Sequence, residues 1–109
     1  MAFVVQLILP VYDNSGQLFP AELSKRVRME LTDKFGGLTA YTRAPAEGTW
    51  RDEEGRTQRD DVVIVEVMTP VLDREWWTRY ALDVATRFEQ RELVVRAMEF
   101  HDLTAHNPA

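Results

Sequence analysis

The sequence predicts an α+β domain with the element order β-α-β-β-α-β. Three observations carry this expectation: two stripes of apolar residues at helical spacing, four runs rich in β-branched and aromatic residues, and a short polar turn between the middle two runs. A chain of 109 residues is long enough for one hydrophobic core and no more. Residues 1–103 are expected to form that single domain, and the polar end, 104–109, to be frayed.

Residues 2–11 read as the first strand, being rich in Val, Ile, Leu and Phe. Pro10 and the turn cluster Asp13-Asn14-Ser15-Gly16 bring it to an end. Pro20 suits the first position of a helix, where its missing N–H has no partner to lose. Leu23, Val27, Leu31 and Phe35 recur every four residues and place one apolar stripe on that helix. Gly36-Gly37 stops it, because glycine adopts the left-handed conformation that helix ends commonly need.

Residues 38–43 read as the second strand, with Ala44-Pro45-Ala46-Glu47-Gly48 as a bulge or bend, since Pro cannot donate to a ladder. Thr49, Trp50 and Arg51 resume the extended path into a turn at Asp52-Glu53-Glu54-Gly55. The third strand returns from Arg56 through the β-branched run Val62-Val63-Ile64-Val65-Glu66-Val67-Met68. So short a turn pairs the two strands as an antiparallel hairpin. Asp73 is the N-cap of a second helix reaching to about Gln90, its apolar face formed by Trp77, Ala81, Val84 and Phe88 and widened by Trp76, Tyr80 and Ala85. Residues 93–100 are the last strand. This is the split βαβ order of ferredoxin-like folds. Right-handed crossovers then give a four-stranded antiparallel sheet in spatial order 4-1-3-2 with both helices on one face.

One face of such a sheet is left open. Alternation along the strands puts Val63, Val65 and Val67 toward the helices and Val62, Ile64, Glu66 and Met68 on the open side. The matching open-side sets are Val4, Gln6 and Ile8; Thr39, Tyr41 and Arg43; and Val94, Arg96, Met98 and Phe100. That face is too apolar for comfortable exposure, and large apolar patches usually mark an interface or a ligand groove. Arg96, Gln6 and Glu66 fall on neighbouring strands and are expected to form a polar row across it.

Hydrophobic residues at 45% and charged residues at 28% describe a soluble globular chain. The 13 Lys+Arg against 18 Asp+Glu leave a net charge of −5, which argues against nucleic-acid binding and against docking on an anionic membrane. The apolar start is about half of the roughly 20 residues needed to span a bilayer and has no basic residue before it, so a cytoplasmic location is expected. Without cysteine there is no disulfide, zinc knuckle or thiol nucleophile. His101 and His106 lack a well-placed third ligand, so no metal is expected, and no cofactor motif is present. Gly36-Gly37 follows a helix instead of opening one and is no phosphate loop. A G-x-S-x-G elbow and a Ser/His/Asp set are missing as well.

Phe35-Gly36-Gly37-Leu38-Thr39, Gly48-Thr49-Trp50-Arg51, Gly55-Arg56 and the strand 61–67 resemble a bacterial family of uncharacterised small ferredoxin-like domains. The resemblance covers about half of the chain and brings no activity with it. It implies the fold, with Gly37-Leu38-Thr39 and Trp50-Arg51 as structurally special positions.

Two functional expectations follow. The first is a homo-oligomeric (dimeric) binding or interaction domain that uses the open sheet face. The alternative is a small cofactor-free enzyme resembling the dimeric α+β barrel isomerases and monooxygenases, acting on a small anionic or aromatic substrate. In that alternative Tyr41, Arg43, Glu66, Arg96 or His101 line a pocket, Arg96 holds an anion, and Glu66 or His101 moves a proton. The candidate ligand or interface residues are Gln6, Tyr41, Arg43, Trp50, Ile64, Glu66, Met68, Arg96, Met98 and His101.

Overall fold

The computed structural model describes residues 2–41, 48–51, 57–60 and 62–108, with 41, 48–51 and 57–60 as backbone only. In chain order the elements are β1 (Ala2–Pro10), α1 (Ala21–Phe35), β2 (Thr39–Tyr41), β3 (Gly48–Arg51), β4 (Thr57–Asp60), β5 (Val62–Thr69), α2 (Arg74–Arg87) and β6 (Val95–Phe100). The main sheet runs β2-β5-β1-β6 with every neighbouring pair antiparallel. This is the expected ferredoxin-like order, with β5 as the third predicted strand and β6 as the fourth.

Each strand of the predicted hairpin is present as two segments. β2 pairs with β5, while β3 and β4 pair with each other as a separate two-stranded ribbon. From the Thr39–Glu66 pair to the Gly48–Asp60 pair the chain advances nine positions on one side and six on the other. The register therefore differs by three residues between the two sheets. The expected bend at 44–48 lies outside the described residues except for Gly48, and so does the turn at 52–55.

The core lies between the sheet and the two helices. Val5, Leu7 and Leu9 of β1 and Val65 and Val67 of β5 are buried against Val27 and Leu31 of α1 and Trp77, Tyr80, Val84 and Phe88 of α2. Leu23 and Phe35 extend the α1 stripe as partly buried neighbours. Phe35 stacks on Trp77 at 5.2 Å between ring centroids, and Trp76 stacks on Tyr80 at 4.8 Å. Lys34 Nζ covers the outer side of this group, 4.5 Å from the Trp76 ring centroid.

Beside one-residue shifts at the end of β1 and the start of β2, the chain differs from expectation in four places. Pro20 is the N-cap of α1, one residue before its first turn, with φ −56° and ψ 138°. An extended ψ cannot belong to a helical residue, and a capping proline likewise has no N–H to leave unpaired. The segment after β1 is more than a turn: Tyr12 bridges Leu18, and Asp13 Oδ1 accepts the N–H groups of Ser15 and Gln17 at 2.8 and 2.9 Å. β6 begins at Val95, two residues later than expected, although Val94 still accepts the Ile8 N–H at 3.1 Å.

The fourth difference is at α2, which ends at Arg87, three residues short of Gln90. Glu89 N–H donates to Thr86 O at 3.1 Å and Gln90 N–H to Ala85 O at 2.9 Å, closing a Schellman motif. The motif needs a left-handed residue, and here that residue is Glu89 at φ 52° instead of a glycine. A side chain in this conformation costs about 1–2 kcal/mol, against about 0.5–1 kcal/mol for glycine's extra chain entropy. Glu89→Gly is accordingly expected to raise stability by up to about 1 kcal/mol in thermal melts. A lowered melting temperature would show that the Glu89 side chain holds the helix end in some other way.

Candidate functional site

Strand register organises the open face into rows that run across the sheet. Gln6 at the centre of β1 lies opposite Glu66 of β5 and Arg96 of β6. Its amide joins the two: Gln6 Nε2 donates to Glu66 Oε1 at 2.6 Å, and Arg96 Nε donates to Gln6 Oε1 at 2.8 Å. The amide orientation follows from this chain, because each end of Gln6 meets a group of fixed hydrogen-bonding sense. Thr39 of β2 stands opposite Glu66 and extends the polar row.

Apolar rows flank it on both sides. Toward one end, Val4 lies opposite both Met68 and Met98, and Ala2 lies opposite Phe100. Toward the other, Ile8 lies opposite Ile64, and Val62 is the partner of Pro10. Met68 is 66% exposed, Val94 45% and Met98 42%. Val4, Ile8, Val62, Ile64 and Phe100 are half-buried. The alternate residues of the same strands supply the buried core, so the face is apolar on a sheet whose other side is already fully used.

The structure thus brings Gln6, Glu66 and Arg96 together in one hydrogen-bonded row, with Ile64, Met68 and Met98 beside it. Tyr41 has its backbone opposite Ile64. Trp50 lies in the β3–β4 ribbon, opposite Gln58, and not in the four-stranded sheet. His101 is exposed just beyond β6. Arg43 lies outside the described residues. Among the described residues no group of three His, Cys, Asp or Glu is placed to hold a metal ion, and no helix is long and apolar enough to cross a membrane. A surface depression of about 380 Å³ lies away from this face, lined by Lys25, Arg28, Met29, Thr32 and Asp33 of α1.

A second polar cluster, between the helices, went unnoticed in the sequence. Arg87 of α2 grips Glu30 of α1 with both guanidinium ends, Nη2 reaching Oε2 at 3.0 Å, and also donates to Asp83 at 2.7 Å. Tyr80 Oη adds a donation to Glu30 Oε1 at 3.0 Å. The Arg87 hydrogen bond holds the Glu30 carboxyl below its ordinary range, with burial opposing and Tyr80 assisting. Burial, followed by the hydrogen bond to Glu30, pushes the Tyr80 hydroxyl well above its usual value. The sequence signals were the i,i+4 spacings of Asp83 with Arg87 and of Arg26 with Glu30. The cluster fastens α1 to α2 on the side away from the open face.

No family model and no curated protein sequence matches the chain. Solved structures do share its fold. The divalent cation tolerance protein CutA1 from Thermus thermophilus superposes with a TM-score of 0.61 at 12% identity, over 95% of this chain and 88% of that one. A phage SAM lyase in complex with S-methyl-5'-thioadenosine gives a TM-score of 0.59 at 13% identity, over 90% and 81%. The phage SAM lyase in its apo state gives 0.54 at 13% identity, over 88% and 78%. Identities this low show a common fold and nothing further.

Proposed function

We propose that the protein is a homo-oligomeric interaction domain that buries the open face of its sheet against a second copy. The observation that carries this reading is an apolar face whose central charges are already linked through Gln6. A face of that kind can leave water once the Arg96 N–H groups that Gln6 does not take are met from across the interface, because a buried charge needs its remaining hydrogen bonds filled. Its size is appropriate. Strands about 4.8 Å apart, with about 3.3 Å per residue, make a face of roughly 20 by 25 Å, on the order of 500 Å² in projection. A stable interface buries about 800 Å² per partner, the same scale. Among the described strands β3 and β4 pair only with each other, so the ribbon bearing Trp50 can add area against a neighbouring copy.

The test is sedimentation velocity on the purified chain, supported by native mass spectrometry. A dimer is expected, with a melting temperature that rises with protein concentration, as mass action requires when association stabilises the folded state. Ile64→Asp places a carboxylate in the middle of the face and is expected to yield a monomer. A soluble, folded Ile64→Asp protein with unchanged oligomeric state would overturn the proposal. A monomer carrying a reproducible small-molecule adduct would do the same and favour a pocket at this face.

A further inference from the structure

The polar row has a direction. Crossing the sheet from β6 through β1 to β5, it passes from the Arg96 cation through the neutral Gln6 amide to the Glu66 anion. Two copies that meet through the same face are related by a two-fold axis lying in the interface. That axis has two principal settings when it passes over Gln6, and the row distinguishes them.

With the axis across the strands, each strand lies over its own counterpart. Arg96 then faces the partner's Arg96, and Glu66 faces the partner's Glu66. With the axis along β1, the two sides of the sheet exchange, and β6 lies over the partner's β5. Arg96 now faces Glu66 of the partner subunit, twice by symmetry, and the two Gln6 amides meet on the axis. The apolar rows do not decide between the settings. Met98–Val4–Met68 meets its own kind in one, and the Ile8–Ile64 row in the other, so apolar surface is covered either way. Charge alone decides, since like charges opposed across a dry interface are strongly unfavourable.

From this we infer that the two copies pack with a two-fold axis parallel to β1 over Gln6, joined by reciprocal Arg96–Glu66 pairs. The inference rests on the proposed face-to-face association. Packed sheets lie about 10 Å apart, a gap that an Arg and a Glu side chain together can bridge. Sheet twist rotates two aligned sheets by about 30°, which moves groups one strand spacing from the axis by roughly 2–3 Å, within reach of a long guanidinium arm. Arg96 has capacity for the contact, since it commits only Nε of its five N–H donors to Gln6. Such pairs set orientation and register more than they add affinity.

Charge reversal tests the geometry, read by sedimentation equilibrium on the full chain with circular dichroism as the check on folding. Arg96→Glu and Glu66→Arg, each alone, are expected to weaken self-association about 100-fold or more. An equimolar mixture of the two is expected to form a heterodimer, and the double swap in one chain to recover the wild-type constant. If either reversal disturbs folding, Arg96→Gln and Glu66→Gln take its place, with about tenfold weakening expected. Single reversals that dimerise like wild type, while Ile64→Asp does not, overturn the axis and leave the face intact. Failure of both the mixture and the double swap to recover association also overturns it. A wild-type chain that is monomeric overturns the reading on which the inference stands.

Discussion

Phe88→Ala is expected to cost about 3–5 kcal/mol, the largest effect of any single side chain considered for this fold. Phe88 is 1% exposed, the most voluminous of the fully buried side chains among the described residues, and closes α2 as its C-cap. Its ring meets the edge of Phe19 at 5.1 Å and 78°, so it ties the loop after β1 to the end of the second helix. Truncation removes the transfer energy and leaves a cavity in the core between the sheet and the helices. A domain of this size is stable by about 5–15 kcal/mol, so a substantial fraction of the total is at stake. Urea unfolding at one fixed protein concentration measures it, the concentration being held because association contributes to apparent stability. Phe88→Leu keeps most of the volume and is expected to lose less than about 1.5 kcal/mol. Equal losses from the two variants would show that the aromatic ring itself, and not the volume it fills, holds this part of the core.

Arg87→Met removes the fastening between the helices and is expected to cost about 1–2 kcal/mol at neutral pH. The figure is discounted because the Glu30 side chain remains 34% exposed, although that of Arg87 is only 10% exposed. The pH dependence is the sharper readout. Glu30 has its carboxyl depressed in the folded state, chiefly by the Arg87 hydrogen bond, so the native protein binds fewer protons than the unfolded chain in acid. Its contribution is complete above the ordinary value of 4.5 and fades as pH falls through the depressed folded value. Tyr80 is shifted the opposite way, so its contribution is complete below the usual 10.0 and is lost as pH rises through the elevated one. In Arg87→Met the acid limb of stability against pH is expected to flatten. Glu30→Gln is expected to remove the same limb, and a double-mutant cycle to show coupling of about 1 kcal/mol. An unchanged acid limb in both variants would mean that the cluster does not hold in solution.

Much of the fold was legible because its signals are local. The four-residue recurrence from Leu23 to Phe35 and the alternation from Val62 to Met68 each report one element's buried side, whatever lies opposite. Element ends were less legible. α2 stops at Arg87 because the carbonyls of Thr86 and Ala85 capture the N–H groups of Glu89 and Gln90 through a left-handed Glu89, and no glycine marks the place. The two sheets of the hairpin region could not be separated by pattern, since β2 and β3 are equally extended and only their partners differ.

The candidate site divides in the same way. Parity along the strands, together with the predicted strand order, was enough to place Arg96, Gln6 and Glu66 on one face of neighbouring strands. The sequence by itself therefore determined the split βαβ order, the buried side of both helices and of β1 and β5, and the apolar character of the open face, since these depend on periods of two and 3.6 residues. The tertiary structure decided the register that sets Gln6 opposite both charges, the direction of the row it carries, and the Glu30–Arg87–Tyr80 clamp. Those features join residues 50 to 90 positions apart. A polar side chain accepts any complementary group of suitable geometry, so its partner is chosen only when packing of the whole chain brings one within reach.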